Sequence, residues 1–209
     1  MAPSAFAFLL PCAAGAAGLF VARQAGDGTP GFYAATVVTA AIYFAAWWAW
    51  GSRASFSGPR RGREIARGIA LGAALAALFV AGAVVVSRIP FLAEPVEQLL
   101  STTDKGGWIP TLAVLVINGI GEELVYRDVV PSQLLARRVV ASPLAAGVFS
   151  VALYCAVTAA MGVPLLLLAA ACVGALAHYE VVRSGRLLSP IALHLTWSVG
   201  MLCILPLFF

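Results

Sequence analysis

Long apolar runs dominate the chain, separated by short breaks rich in Gly, Pro, Ser or Arg. They lie at approximately Phe6–Val21, Gly31–Trp50, Gly68–Val86, Ile109–Arg127, Pro143–Ala160, Pro164–Val181 and Pro190–Phe208. A helix needs about 20 predominantly apolar residues to cross the hydrocarbon core of a bilayer, where every backbone polar group must be satisfied internally. Seven such runs in 209 residues therefore predict an all-α fold, a polytopic transmembrane helical bundle of about seven spans. Composition agrees: 62% of residues are hydrophobic and 11% charged, against roughly 45–50% and about 25% in soluble domains. A soluble enzyme, a disordered chain and a nucleic-acid-binding domain are excluded together.

The arginines orient the bundle. The break after the second run carries Arg53, Arg60, Arg61, Arg63 and Arg67, and alternation puts Arg137, Arg138, Arg183 and Arg186 on the same side. The other side holds Arg23, Arg88 and Lys105. Nine against three predicts a cytoplasmic N-terminus, in a plasma (inner) membrane protein. Trp47, Trp48, Trp50 and Trp108 fall at run ends, where an indole sits between lipid and water. The first run has no basic segment before it, and Pro11 precedes Cys12, so it is expected to remain as a helix and not to be processed. The four cysteines lie inside apolar runs without CxxC spacing and read as small buried hydrophobes. Gly68 and Gly72 form one GxxxG, which is no basis for a dimer.

Ionisable groups inside a membrane mark functional sites by default. The fourth run ends Asn118-Gly-Ile-Gly-Glu122-Glu123-Leu-Val-Tyr126-Arg127-Asp128. On a helix, Asn118, Glu122 and Tyr126 share one stripe, and Gly119, Glu123 and Arg127 share the next. Glu123 pairs with Arg127 at i, i+4, which leaves Glu122 without a local cation and therefore a candidate general base for water. The alternative is a helix end emerging into solvent with its charges hydrated. If the helix stops near Arg127, Glu122 lies about 7 Å inside the boundary; if it continues to Arg138, more than about 20 Å. Pro131 does not choose between these. In the fifth run Ser150, Tyr154 and Thr158 line one face; in the seventh, His194, Trp197 and Ser198 stand at i, i+3, i+4. Membrane hydroxyls often bond only their own helix or a neighbour, but three polar stripes converge at least cost in the bundle interior.

These residues resemble the CPBP intramembrane proteases, a family that includes the CAAX prenyl endopeptidases and bacteriocin-processing or immunity proteins. The family pattern is EExxxR on one helix, aromatic-xxx-His on the next and His-xxx-Asn on a later one. The first motif is intact as Glu122-Glu123-Leu124-Val125-Tyr126-Arg127, and the third is present as His194-Leu195-Thr196-Trp197-Ser198, with Ser198 in place of Asn. In the second, Tyr154-Cys155-Ala156-Val157-Thr158 puts Thr158 where the family has histidine. The resemblance implies membrane helices over residues 1–108 and a protease-like core over 109–209, within one integrated membrane domain. It also implies that Glu122 activates water, that Glu123 and Arg127 hold the site in shape, and that His194 and Ser198 stabilise the oxyanion. Thr158 would at most orient water.

A catalytic zinc usually takes three protein ligands plus water. The motif positions supply Glu122 and His194, and a third ligand would have to be His178. The expected cofactor is therefore none, with Glu122, His194 and His178 as the alternative donor set. The leading expectation is a glutamate-dependent endopeptidase acting on a peptide or membrane-protein substrate, lipidated or membrane-associated, with the bilayer as its other partner. The alternatives are a catalytically silent relative serving as an immunity or scaffold protein, and a small transporter gated by Glu122 and Arg127. Oligomeric state is not legible. The enzymatic reading requires Glu122 and His194 to meet inside the bundle, both facing a water-accessible cavity.

Overall fold

The computed structural model describes residues 6–209. Its helices are α1 (Leu10–Ala25), α2 (Pro30–Trp50), α3 (Arg61–Val86), α4 (Pro90–Leu100), α5 (Thr102–Gly106), α6 (Trp108–Glu123), α7 (Val130–Ala136), α8 (Pro143–Thr158), α9 (Pro164–Ser184) and α10 (Leu188–Ile204). Seven stretches are long and apolar enough to span a bilayer: α1, α2, α3, α6 continued through α7, α8, α9 and α10. The expected all-α architecture is present, and the protein is an integral membrane protein. Helix starts follow local chemistry. Pro30, Pro90, Pro143 and Pro164 open their helices, where the missing N–H is not needed. Thr29 and Ser142 cap α2 and α8, each side-chain oxygen accepting from a backbone amide at 3.2 Å.

Three boundaries differ from the hydropathy reading. The third span starts at Arg61 and not Gly68, because its first two turns are polar yet helical, with Arg63 and Arg67 exposed. The fourth continues past Arg127 to Ala136. The break between the third and fourth spans folds into α4 and α5, and α4 packs on α9. The cysteines also differ from expectation. All four are free, but only Cys12 is buried and Cys203 is exposed on α10, where an apolar surface faces lipid at no cost.

The closest helix pair is α3 with α10, and the GxxxG explains it. A Cβ on Gly68 would meet the Ser189 carbonyl and lie 2.8 Å from the Ala192 Cβ. One on Gly72 would meet the Leu193 carbonyl and lie 2.9 Å from the Thr196 Cβ. The motif thus packs two helices of one chain, with backbone against backbone. At the end of α9, Gly185 turns the chain toward α10 with φ +66°, a conformation other residues adopt with strain. Around α6, α2 packs on one flank and α10 on another, while α8 lies against α9, α7 and α1.

Gly72→Ala is expected to destabilise the protein by about 1–3 kcal/mol, because overpacking must move α10. Gly82→Ala, where nothing lies within 4 Å, should be neutral or stabilising by up to about 1 kcal/mol. Thermal unfolding of the two variants in detergent micelles checks the contrast.

Candidate active site

The polar stripes of α6 sort as their spacing predicts. Asn118 donates through Nδ2 to the carbonyls of Val114 (2.9 Å) and Thr36 (3.1 Å), tying α6 to α2. Glu123 and Arg127 are fully buried and pair at 3.3 Å, Nε to Oε2. Glu122, one stripe over, makes no ion pair with an arginine or lysine among the described residues.

Between Glu123 and Val130 the helix widens to a π turn over Leu124–Val129. Such turns occur as single inserts in α-helices, frequently at functional sites. Here the turn admits Pro131. The Val130 amide bonds the Val125 carbonyl, and residue 131 has no N–H to offer. The Tyr126 carbonyl is left to side chains, and it accepts from the Ser150 hydroxyl of α8 and from Arg127 Nη1 at 3.3 Å. A released backbone group therefore clamps α8 onto the site.

The depth of Glu122 follows from Asp128, whose carboxylate accepts from Trp47 Nε1 and from the Ser52 backbone amide, both at 2.8 Å. Asp128 sits at the level where α2 ends. Glu122 lies six residues before it on the same helix, or about 9 Å along the axis. The helix continues beyond Arg127 to Ala136, and Leu134 and Leu135 of α7 pack with Phe8, Trp47 and Trp50.

The last span brings the imidazole. His194 Nδ1 is 2.8 Å from Glu123 Oε1, so Nδ1–H donates to that carboxylate. Nε2 is thereby left facing Glu122, 3.9 Å from Oε2. The same Glu122 oxygen accepts the Tyr154 hydroxyl at 2.8 Å. Arg127 pairs with Glu123 by charge and Glu123 accepts from His194, which fixes the ring, and Glu122 lies on its other side. The orienting logic is that of a base held by a third group. Glu122 and His194 meet inside the bundle, as the enzymatic reading requires, but neither lines the apolar cavity next to them.

The remaining expected residues are placed differently. Ser198, one turn beyond His194, lines an apolar cavity of about 530 Å³ together with Trp197 and Asn118. Glu122 and His194 do not line it; they sit one helical turn from its wall. Thr158 donates to the Tyr154 carbonyl of its own helix at 2.9 Å. His178 packs its ring on Gly147 across the α8–α9 seam, and neither of its nitrogens has a hydrogen-bond partner among the described residues. No group of three His, Cys, Asp or Glu side chains converges as a metal site among the described residues, so Glu122, His194 and His178 do not assemble into a donor set.

Two residues escaped the sequence reading. Tyr154 stands on the polar stripe of the fifth run without an assigned role, because the motif register favours Thr158 one turn later, whereas it is the Tyr154 hydroxyl that meets Glu122. Glu180 is fully buried at the end of α9. It accepts from Arg67 at 3.0 Å, from Arg183 at 2.9–3.2 Å and from Ser189 at 2.6 Å. It therefore ties α3, α9 and the first turn of α10 together. The only signal was an acid three residues before an arginine in an apolar run.

An integral membrane bundle with a buried carboxylate–imidazole site defines the class. Residues 104–200 match the family described as Rce1-like, type II CAAX prenyl endopeptidase Rce1-like. No curated protein and no solved structure gives a significant match. This stretch of the chain is similar to the CAAX-type intramembrane proteases, which supports the resemblance carried by its motifs.

Removing Arg127 leaves Glu123 buried without its cation, which typically costs about 3–5 kcal/mol. Arg127→Met should destabilise by that amount, and adding Glu123→Gln should recover most of it. Unfolding of the single and double variants in mixed micelles checks both.

Proposed function

We propose that the protein is a glutamate-dependent intramembrane endopeptidase that hydrolyses a peptide bond of a membrane-associated or lipidated substrate. The observation that carries this reading is the 3.9 Å approach of His194 Nε2 to Glu122, with the other ring nitrogen already committed to Glu123. Glu122 takes a proton from water, and the water oxygen attacks the peptide carbonyl carbon. The carbonyl electron pair moves to oxygen. The form of His194 that stabilises this oxyanion is the imidazolium, with Nδ1–H on Glu123 and Nε2–H toward the reacting carbonyl. The proton on Glu122 then passes to the leaving nitrogen as the C–N bond breaks. Glu123 and Arg127 act through His194 as positioning residues.

The apolar cavity beside the site suits the lipid or apolar side chains of a substrate. A chemistry without a tightly bound metal fits the donor set, since Glu122 and His194 supply two ligands where a catalytic zinc takes three. The arginine asymmetry supports a cytoplasmic N-terminus, with the site toward the cytoplasmic end of the bundle, in the plasma (inner) membrane.

Purified protein reconstituted in liposomes should cleave members of a library of lipidated and unlipidated peptides, and a strong zinc chelator should not abolish the activity. Glu122→Gln is expected to lower turnover by about 10²–10⁴-fold, the range for loss of a general base. Equal cleavage by wild type and Glu122→Gln overturns the reading.

A further inference from the structure

Glu122 accepts a hydrogen bond from a residue that has no role in the mechanism above. The Tyr154 hydroxyl lies 2.8 Å from Glu122 Oε2, the same oxygen that stands 3.9 Å from His194 Nε2. Hydroxyl and imidazole therefore flank one point, from opposite helices. The tyrosine is 6% exposed, and its ring is held on several sides. The Arg127 guanidinium lies over it at 5.1 Å, the Tyr126 ring packs against it at 5.0 Å between centroids, and the His194 ring meets it edge-on at 6.5 Å. So confined a ring holds the hydroxyl oxygen in place beside Glu122 and leaves only the O–H free to rotate about its C–O bond. Gly174 on α9 leaves the room that this stack needs, since a Cβ there would come within 3.4 Å of Tyr154 Cδ1 and 3.2 Å of Arg127 Nη2.

We infer that Tyr154 is a catalytic residue of this protein, an oxyanion donor supplied by α8 from the turn preceding Thr158. The inference rests on the hydrolase reading of the preceding subsection. In the resting site Tyr154 O–H donates to the Glu122 carboxylate and fixes its orientation. When Glu122 takes the proton of the attacking water, Oε2 becomes a weaker acceptor, and the O–H turns to the oxyanion forming on the carbonyl. No proton leaves the tyrosine and no bond to it forms or breaks. The hydrogen bond moves to where negative charge has moved, which is the condition for stabilising the transition state more than the ground state. The second helix of the site thus keeps a donor, though the position one turn later is a threonine bonded to its own backbone.

Tyr154→Phe tests this, because it keeps the ring and its packing and removes only the hydroxyl. Cleavage of the best peptide from the liposome library should lose about 10²–10³-fold in kcat with KM nearly unchanged. Tyr154→His should retain more activity than Tyr154→Phe. Wild-type turnover by Tyr154→Phe, or a rise in KM alone, overturns the inference while a dead Glu122→Gln leaves the hydrolase reading standing. Full activity in Glu122→Gln overturns the hydrolase reading itself. A second measurement needs no substrate. The infrared carboxyl band that disappears in Glu122→Gln should shift in Tyr154→Phe, and an unmoved band removes the contact on which the inference depends.

Discussion

The structure turns on a charged pair hidden in an apolar bundle. Glu123 and Arg127 are both wholly buried, and neither is tolerable there alone. Each is held by the other and by further partners: His194 on the carboxylate, the Tyr126 carbonyl and the Tyr154 ring on the guanidinium. Because those partners come from α6, α8 and α10, the pair fixes three helices relative to one another. Glu122 owes its freedom to this pairing, since the only arginine near it along the helix is already engaged.

Much of this is legible in the sequence. Seven apolar runs give seven spans, and the i, i+4 spacing of Glu123 and Arg127 gives their pairing. What periodicity could not show was the π turn. Its cause is local, an amide at Val130 that reaches back five residues and a proline at 131 that offers none, but hydropathy carries no trace of it. Asp128 is a similar case. As a charge at the end of a run it looks solvated, whereas its partners, Trp47 and Ser52, are some eighty residues away in sequence. The resemblance to a known family singles out Glu122 and His194, which stand 3.9 Å apart, and Thr158, which bonds its own helix. The α8 residue that touches the carboxylate is one turn earlier, because which face of α8 meets α6 is decided by packing between helices, not by motif register.

Small residues do the positioning that charges cannot. Gly68 and Gly72 let the backbone of α10 lie directly on α3, and the contacted residues, Ser189, Ala192, Leu193 and Thr196, bracket His194. Gly119 does the same between α6 and α10, where a Cβ would come within 3.1 Å of Leu195 Cδ2. The imidazole is thus held by close backbone packing along its helix and by one hydrogen bond at its ring.

The polar fastening of α10 is lopsided. Its first turn is bolted through Ser189 to Glu180 and two arginines, and His194 is bonded one and a half turns later. Beyond that point its side chains make no hydrogen bond to another helix among the described residues. Trp197 meets Phe79 edge-on at 5.5 Å between ring centroids, and Gly200 lies against Ala76. Directional bonds thus set the rotation of α10 where the imidazole needs it, and its far half rests on contacts that prescribe no angle.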